Sequence, residues 1–184
     1  MLFRHGGTPY PSRWNHNIHY HGVILREIPK GARTALDVGC GNGLLTRELQ
    51  RVVPEVVGID ADERVLDQAR RDCVDVDWVS GDFLTHDFGR RFDVVASVAV
   101  LHHIPDRRAG LRRLAALTAP GGVLAIVGLA RATRLRDRLI HVPGLFQHWW
   151  FSARYGFWEH AAPTVWPPPH DYTTIRRVAA ELLP

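Results

Sequence analysis

The sequence predicts an α/β domain, doubly wound in three layers, with a mainly parallel sheet between two layers of helix. Three observations carry this. Short apolar runs recur five times, and each is continuous rather than alternating, as strands buried on both faces require. Segments with helical spacing separate them, and the crossovers between parallel strands are right-handed by default. The first run passes at once into Gly39-Cys40-Gly41-Asn42-Gly43, a glycine turn joining strand to helix.

Composition bounds the answer. The 184 residues, 46% apolar and 23% charged, suit one globular domain spanning 1–184. A chain of this size buries about 70% of the surface its unfolded form exposes, so it needs neither disulfides nor a structural metal. Cys40 and Cys73 stand far apart with no CxxC pair, which excludes a zinc-site reading and points to a reducing compartment. No apolar signal segment opens the chain, and the longest nearly continuous apolar run, Val123 to Ala130, falls far short of the roughly 20 residues of a membrane span. The expectation is a cytoplasmic protein with no membrane partner, either monomer or homodimer. The net charge of +4 invites a nucleic-acid partner, yet 22 of the 23 cations are arginines spread as singlets and pairs. That pattern argues against one.

Residues 1–16 lack a period and read as an irregular arm, followed over Asn17 to Ile28 by a short helix that Pro29 ends. Together 1–30 form an N-terminal arm and helix. Thr34 to Val38 is the first strand, and Leu44, Leu45, Leu49, Val52 and Val53 place a helix after its glycine turn. Pro54 stops that helix. Val56 to Asp60 is the second strand, ending in a carboxylate; Asp62 is the expected cap of the next helix, with Arg70 and Arg71 at its negative end. Val76 to Val79 is the third strand and Phe92 to Ser97 the fourth. A helix with Leu111, Leu114 and Leu117 inside is closed by Pro120-Gly121-Gly122, and Val123 to Gly128 is the fifth strand. Beyond it lie a basic amphipathic stretch, Arg131 to Ile140, and an aromatic crowd from Phe146 to Trp166. The expectation for 131–170 is an insertion serving as a lid or substrate cap, ahead of a last helix from about Thr173 to Leu183.

Chemistry concentrates at the carboxyl ends of these strands. A ligand can approach backbone closely only where side chains are absent, and glycine supplies the positive φ of a tight turn. Asp60 ends the next strand 21 residues after Gly39, where a carboxylate can accept from two ribose hydroxyls; its plainer role is to cap the helix that follows. A dinucleotide site calls for Gly-x-Gly-x-x-Gly, whereas here the third glycine comes one position early. Asp37, just before the turn, repels a diphosphate and suits a cationic amine.

These residues resemble the class I S-adenosylmethionine-dependent methyltransferases, small-molecule branch. Leu36-Asp37-Val38-Gly39-Cys40-Gly41-Asn42-Gly43 is similar to that family's first motif, Val57 to Asp60 to its second and Ser80-Gly81-Asp82-Phe83 to its third. Phe92 to Asp106, with Leu101-His102-His103, resembles its fourth-strand motif, and Ala119 to Leu124 the turn before its fifth strand. The resemblance implies a Rossmann-like sheet in the order 3-2-1-4-5. It also implies a C-terminal antiparallel hairpin, which is expected to be missing here, leaving an edge that favours pairing or lowers stability.

The implied cofactor is S-adenosylmethionine, with S-adenosylhomocysteine as product. Gly39, Cys40 and Gly41 would line its methionine part and Asp37 its ammonium. Asp60 would hold the ribose, Ala61 pack on the adenine, Asp82 accept from the exocyclic amine and Phe83 add a contact. Ser97 and Val98 would border the sulfonium. The implied reaction is in-line methyl transfer to a small-molecule acceptor, with His102, His103 or, from the arm, His19 or His21 as candidate bases. Each imidazole has a structural alternative, and no metal is expected. Leu101-His102-His103 stands where adenine and amide modifiers carry Asn/Asp-Pro-Pro-Tyr/Phe, which argues against DNA N-methylation. An RNA methyltransferase, an inactive cofactor-binding regulatory protein and a nicotinamide-dependent oxidoreductase are the other readings.

Overall fold

A computed structural model describes residues 15–157, 168 and 171–183. Expectations for residues 1–14 and for Trp158 and Trp166 lie outside the described residues. Five strands, β1 (Thr34–Val38), β2 (Glu55–Asp60), β3 (Asp77–Ser80), β4 (Phe92–Val98) and β5 (Thr118–Val127), form one sheet in the order β3-β2-β1-β4-β5. All four pairings are parallel. The order reverses between β1 and β4, where Val38 lies opposite Ser97, and crevices at such reversals hold ligands in this architecture.

Side chains of a strand alternate between faces, and the two faces meet different helices. Ala35, Val56, Val94 and Ala96 pack with Ile24 of α1 (His16–Arg26) and with Leu45 and Leu49 of α2 (Leu44–Gln50). Leu36, Val38, Val57, Ile59 and Val95 pack instead with Phe83 and with Leu114 and Leu117 of α4 (Arg107–Leu117). Both layers are needed to dry the sheet, which is why the strands read as continuous apolar runs. α3 (Glu63–Asp72) buries Leu66 and Ala69, and its Asp62 cap accepts from the Arg64 amide at 3.0 Å, as expected from the sequence. Asn15, Asp106 and Asp171 cap α1, α4 and α6 (Tyr172–Leu182) in the same way.

At the amino end of the β1–β4 pair, Asp93 Oδ2 accepts from the amides of Arg33 (2.8 Å) and Thr34 (3.0 Å) and from the Thr34 hydroxyl (3.1 Å). The Asp93 amide donates back to Thr34 Oγ1 at 3.0 Å. This clamp fixes the register at the end of the sheet opposite the glycine turn.

Two elements differ from the sequence expectation. β5 begins at Thr118, ahead of Pro120-Gly121-Gly122, because Thr118 already pairs with Phe92 before the register shifts to Val94 against Val123. The proline and glycines, with Gly121 at φ 77°, are absorbed as a bulge rather than a turn closing the helix. The second difference is larger. The basic stretch and the start of the aromatic crowd form one helix, α5 (Leu135–Tyr155), 21 residues long, with Pro143 inside it. Asp137 caps its start, accepting from the Arg134 amide at 3.0 Å, and is itself buried. Phe151 of α5 is buried and packs against His19 of α1 at 5.7 Å between ring centroids. Phe146, Trp149 and Trp150 stand out from the surface at 72%, 73% and 66% exposure.

Candidate active site at the carboxyl edge of the sheet

The glycine turn after β1 is pinned to β2: the amides of Gly39 and Cys40 both donate to the Ile59 carbonyl, at 2.8 and 3.1 Å. Gly39, Gly41 and Gly43 have φ of 69°, 54° and 74°, a region that other L-residues enter at a cost of about 1–2 kcal/mol each. The three differ in what surrounds them. A Cβ on Gly39 would lie 2.2 Å from Val100 Cγ2, and one on Gly43 would lie 2.3 Å from the Trp78 ring. A Cβ on Gly41 would meet nothing within 4 Å. Two glycines therefore admit neighbouring side chains, and the middle one faces open space beside the switch point.

Asp60, at the end of β2, closes the other side of the turn. Its Oδ2 accepts from the Gly41 amide at 2.8 Å and its Oδ1 from the Asp62 amide at 2.9 Å, while Asp62, rather than Asp60, caps α3. Each carboxylate oxygen has a second lone pair, so ribose hydroxyls can still be accepted. The Gly81 amide donates to the Asp60 carbonyl at 2.9 Å, which brings the β3 turn to the same edge. In that turn Asp82 is exposed and its Oδ1 accepts from the Leu84 amide at 2.9 Å. Ala61 is exposed beside Asp60.

Phe83 follows Asp82 in that turn, with its ring buried in the α4-side core and its carbonyl accepting from Arg113 Nε at 3.2 Å.

Asp37 lies on the α2 side of β1 and is buried, accepting from the Thr46 hydroxyl at 2.6 Å. Burial pushes its pKa up to about 6, against the pull of the Thr46 bond and of nearby His21. His21 is itself buried and meets Glu48 of α2 at 3.0 Å, so two carboxylates, a hydroxyl and an imidazole join α1, α2 and β1 behind the turn. Thr46 and Glu48 escape motif reading. The signal available is that Glu48 follows Leu44 and Leu45 and precedes Leu49, a carboxylate on the apolar face of a helix. Cys40 is also buried, and burial, followed by the charges of Asp37 and Asp60, pushes its thiol far up from the ordinary range.

Across the switch point, Ser97 shares a strand face with Val95 and is buried, with no hydrogen-bond partner for its Oγ among the described residues. Val98 ends β4, and Ala99 follows at φ 57°, held there by its amide donating to the Val127 carbonyl at 2.7 Å. A non-glycine residue in that region marks local strain, which concentrates at functional sites. The chain then makes a short 3-10 turn, Leu101–His103. His102 Nδ1 is buried and likewise lacks a partner among the described residues, and its ring lies 4.0 Å from that of the exposed His103. Burial first, and then the adjacent His103, hold the His102 pKa below the usual histidine range. His19 lies elsewhere, between α1 and α5, with Gln147 Nε2 at 3.5 Å.

The profile of the methyltransferase domain family matches residues 35–122, the span that carries these features. An uncharacterized methyltransferase of Mycobacterium tuberculosis is 39% identical over 174 residues, covering 93% of this chain and 88% of that protein. A ubiquinone biosynthesis O-methyltransferase of Coxiella burnetii is 34% identical over 112 residues, 55% of this chain and 45% of that one. Among solved structures, a SAM-bound amino pentose methyltransferase from Micromonospora echinaspora is similar, with 28% identity and a TM-score of 0.56 over 61% of this chain and 50% of that one. The chain thus spans about half the length of the last two. With a nearly full-length relative at that identity and a glycine-turn edge of this construction, the chain belongs to the class I S-adenosylmethionine-dependent methyltransferases.

Proposed function

We propose that this edge binds S-adenosylmethionine and delivers its methyl group to a hydroxyl or amine of a small-molecule acceptor. The observation that carries the reading is the pairing of Gly41 with Asp60: a turn open above its middle glycine and, 2.8 Å away, a carboxylate suited to a ribose. The residues fit such a ligand. Open space at Gly41 accommodates its methionine part, with Gly39 and Cys40 contributing backbone, and Asp37 faces a cation better than a phosphate. Asp60 accepts from the ribose hydroxyls, and Ala61 and Asp82 border the adenine. Ser97 and Val98 line the floor at the switch point.

When bound, the sulfonium supplies a methyl carbon already activated for in-line displacement. The chain then has two tasks, to orient and to manage one proton. Orientation alone is worth up to about 7–11 kcal/mol when reacting atoms are held in line. An acceptor hydroxyl or ammonium must lose its proton, and we assign that role to His102, a half-buried imidazole held below the usual histidine range, with Nδ1 uncommitted among the described residues. The His103 ring lies tilted against it at 4.0 Å and opposes its protonation. The acceptor chemistry is supported by relatives that include an O-methyltransferase and an amino-sugar enzyme.

The test is calorimetric titration with S-adenosylhomocysteine on the parent and on Asp60→Ala and Gly41→Val. Micromolar binding by the parent, lost in both variants, supports the reading. A folded parent that binds nothing overturns it.

A further inference from the structure

The two sides of α5 do different work. Gln147 and Phe151 face inward, against His19 of α1. Leu145, Phe146, Trp149 and Trp150 face away, at 66–73% exposure, and recur at the spacing of one helical stripe with the exposed Ala153 continuing it. Two tryptophans, a phenylalanine and a leucine side by side are far more apolar surface than scattered exposure explains.

Charge around the stripe selects the partner. Arg134 is exposed at its amino end and Arg154 at its carboxyl end, while Arg131, also exposed, lies beside Asp171 and helps hold that carboxyl below the usual range. From residue 131 to 157 the sequence contains one acidic residue among the described positions, Asp137, and that carboxylate is buried in the helix cap. Among the described side chains the helix is therefore apolar over 145–150 and cationic at 134 and 154, about 30 Å apart at 1.5 Å per residue. A partner must offer apolar depth flanked by negative charge along that whole length. An anionic lipid surface does so: its acyl boundary receives the rings, its headgroups meet the guanidinium groups, and the indole N–H groups find acceptors at that level. No helix among the described residues is long and apolar enough to cross a membrane, so the contact is with the surface.

We propose that α5 is a membrane-surface element, docking the enzyme on anionic lipid through Phe146, Trp149 and Trp150 with Arg131, Arg134 and Arg154 as charge contacts. The sequence expectation is of no membrane partner, and a surface contact of this kind lies outside what that expectation weighs. It is independent of the cofactor reading, because none of these residues belongs to the carboxyl edge.

The experiment is co-sedimentation of the full chain with phosphatidylcholine vesicles with and without phosphatidylglycerol. Circular dichroism and thermal melting confirm that each variant is folded. The parent is expected to bind the anionic vesicles and to leave them as salt is raised. Trp149→Ala/Trp150→Ala should weaken binding at least about tenfold, since each buried ring contributes apolar area. Arg131→Gln/Arg134→Gln/Arg154→Gln should remove the preference for anionic lipid. Three results overturn the proposal. One is a folded parent that binds neither vesicle, and another is unchanged binding by the tryptophan variant. The third is a parent dimer that this variant converts to monomer, which would assign the stripe to a second copy of the chain.

Discussion

The Gly41 amide donates to Asp60 Oδ2 at 2.8 Å, joining the turn after β1 to the end of β2. Sequence spacing gives Asp60 a ligand role, and the structure adds a second one: the same carboxylate shapes the turn. The two separate by substitution. Asp60→Ala leaves the Gly41 and Asp62 amides without their acceptor and should cost about 1–3 kcal/mol in urea unfolding. Asp60→Asn retains an acceptor oxygen for one of the two amides, so it should cost less stability than Asp60→Ala while weakening S-adenosylhomocysteine binding about tenfold or more in calorimetry.

The glycines of the turn predict opposite phenotypes. Gly39→Ala brings a Cβ to 2.2 Å from Val100 Cγ2 at a positive φ, so it should lower the melting temperature markedly. Gly41→Ala meets no protein atom and should lose only the roughly 1–2 kcal/mol of the backbone conformation. Its deficit should appear instead in cofactor affinity. Equal binding losses at matched stability in the two variants would contradict the assignment of the open space to ligand.

Asp37 makes both stability and binding depend on pH. Its folded pKa, about 6, lies above the 3.8 of an ordinary aspartate, so the folded chain holds this proton more tightly than the unfolded chain. The resulting stability is full below pH 3.8 and declines as pH rises through 6, by about 3 kcal/mol in all. Asp37→Asn should flatten that part of the profile, measured by urea melts from pH 4 to 8. Binding should run the other way. An ammonium favours the ionised carboxyl, so S-adenosylhomocysteine affinity of the parent should fall below pH 6, and in Asp37→Asn that dependence should vanish.

Cys40 should resist alkylation. It is buried with its thiol pushed far upward, next to two carboxylates, so thiolate is scarce at pH 8. Iodoacetamide labelling followed by peptide mass spectrometry should leave it unmodified in the folded chain and modify it in urea. Labelling of Cys40 without unfolding would mean that the turn opens.

If His102 accepts the acceptor's proton, the acid limb of the kcat profile should fall below the usual histidine range, as its burial and His103 require. His102→Asn should lower kcat about 10²–10⁴-fold with cofactor affinity retained. An unchanged profile in that variant would assign the imidazole a structural role.

Much of this was legible because it is local. The glycine turn, the buried strands and the Asp62 cap all follow from residue types at fixed offsets, and the strand order followed from the family resemblance. What was not legible depends on contacts between distant segments. Glu48 meets His21 across 27 residues, and no periodicity announces that. The bond from Arg113 to the Phe83 carbonyl likewise joins segments 30 residues apart. α5 runs as one helix through Pro143 and so joins residues that the sequence divides between a basic stretch and an aromatic crowd.

The clamp between Asp93 and Thr34 joins residues 59 apart in sequence. Three strands and two helices, β1 to β3 with α2 and α3, lie on the stretch of chain it closes, and the same β1–β4 pairing sets Val38 opposite Ser97. The edge thus depends on a long-range contact, of the kind that carries loop-closure entropy which no single helix has to overcome. A chain arrested before β4 would carry the glycine turn with nothing opposite it and without the α4 layer that covers one face of the sheet.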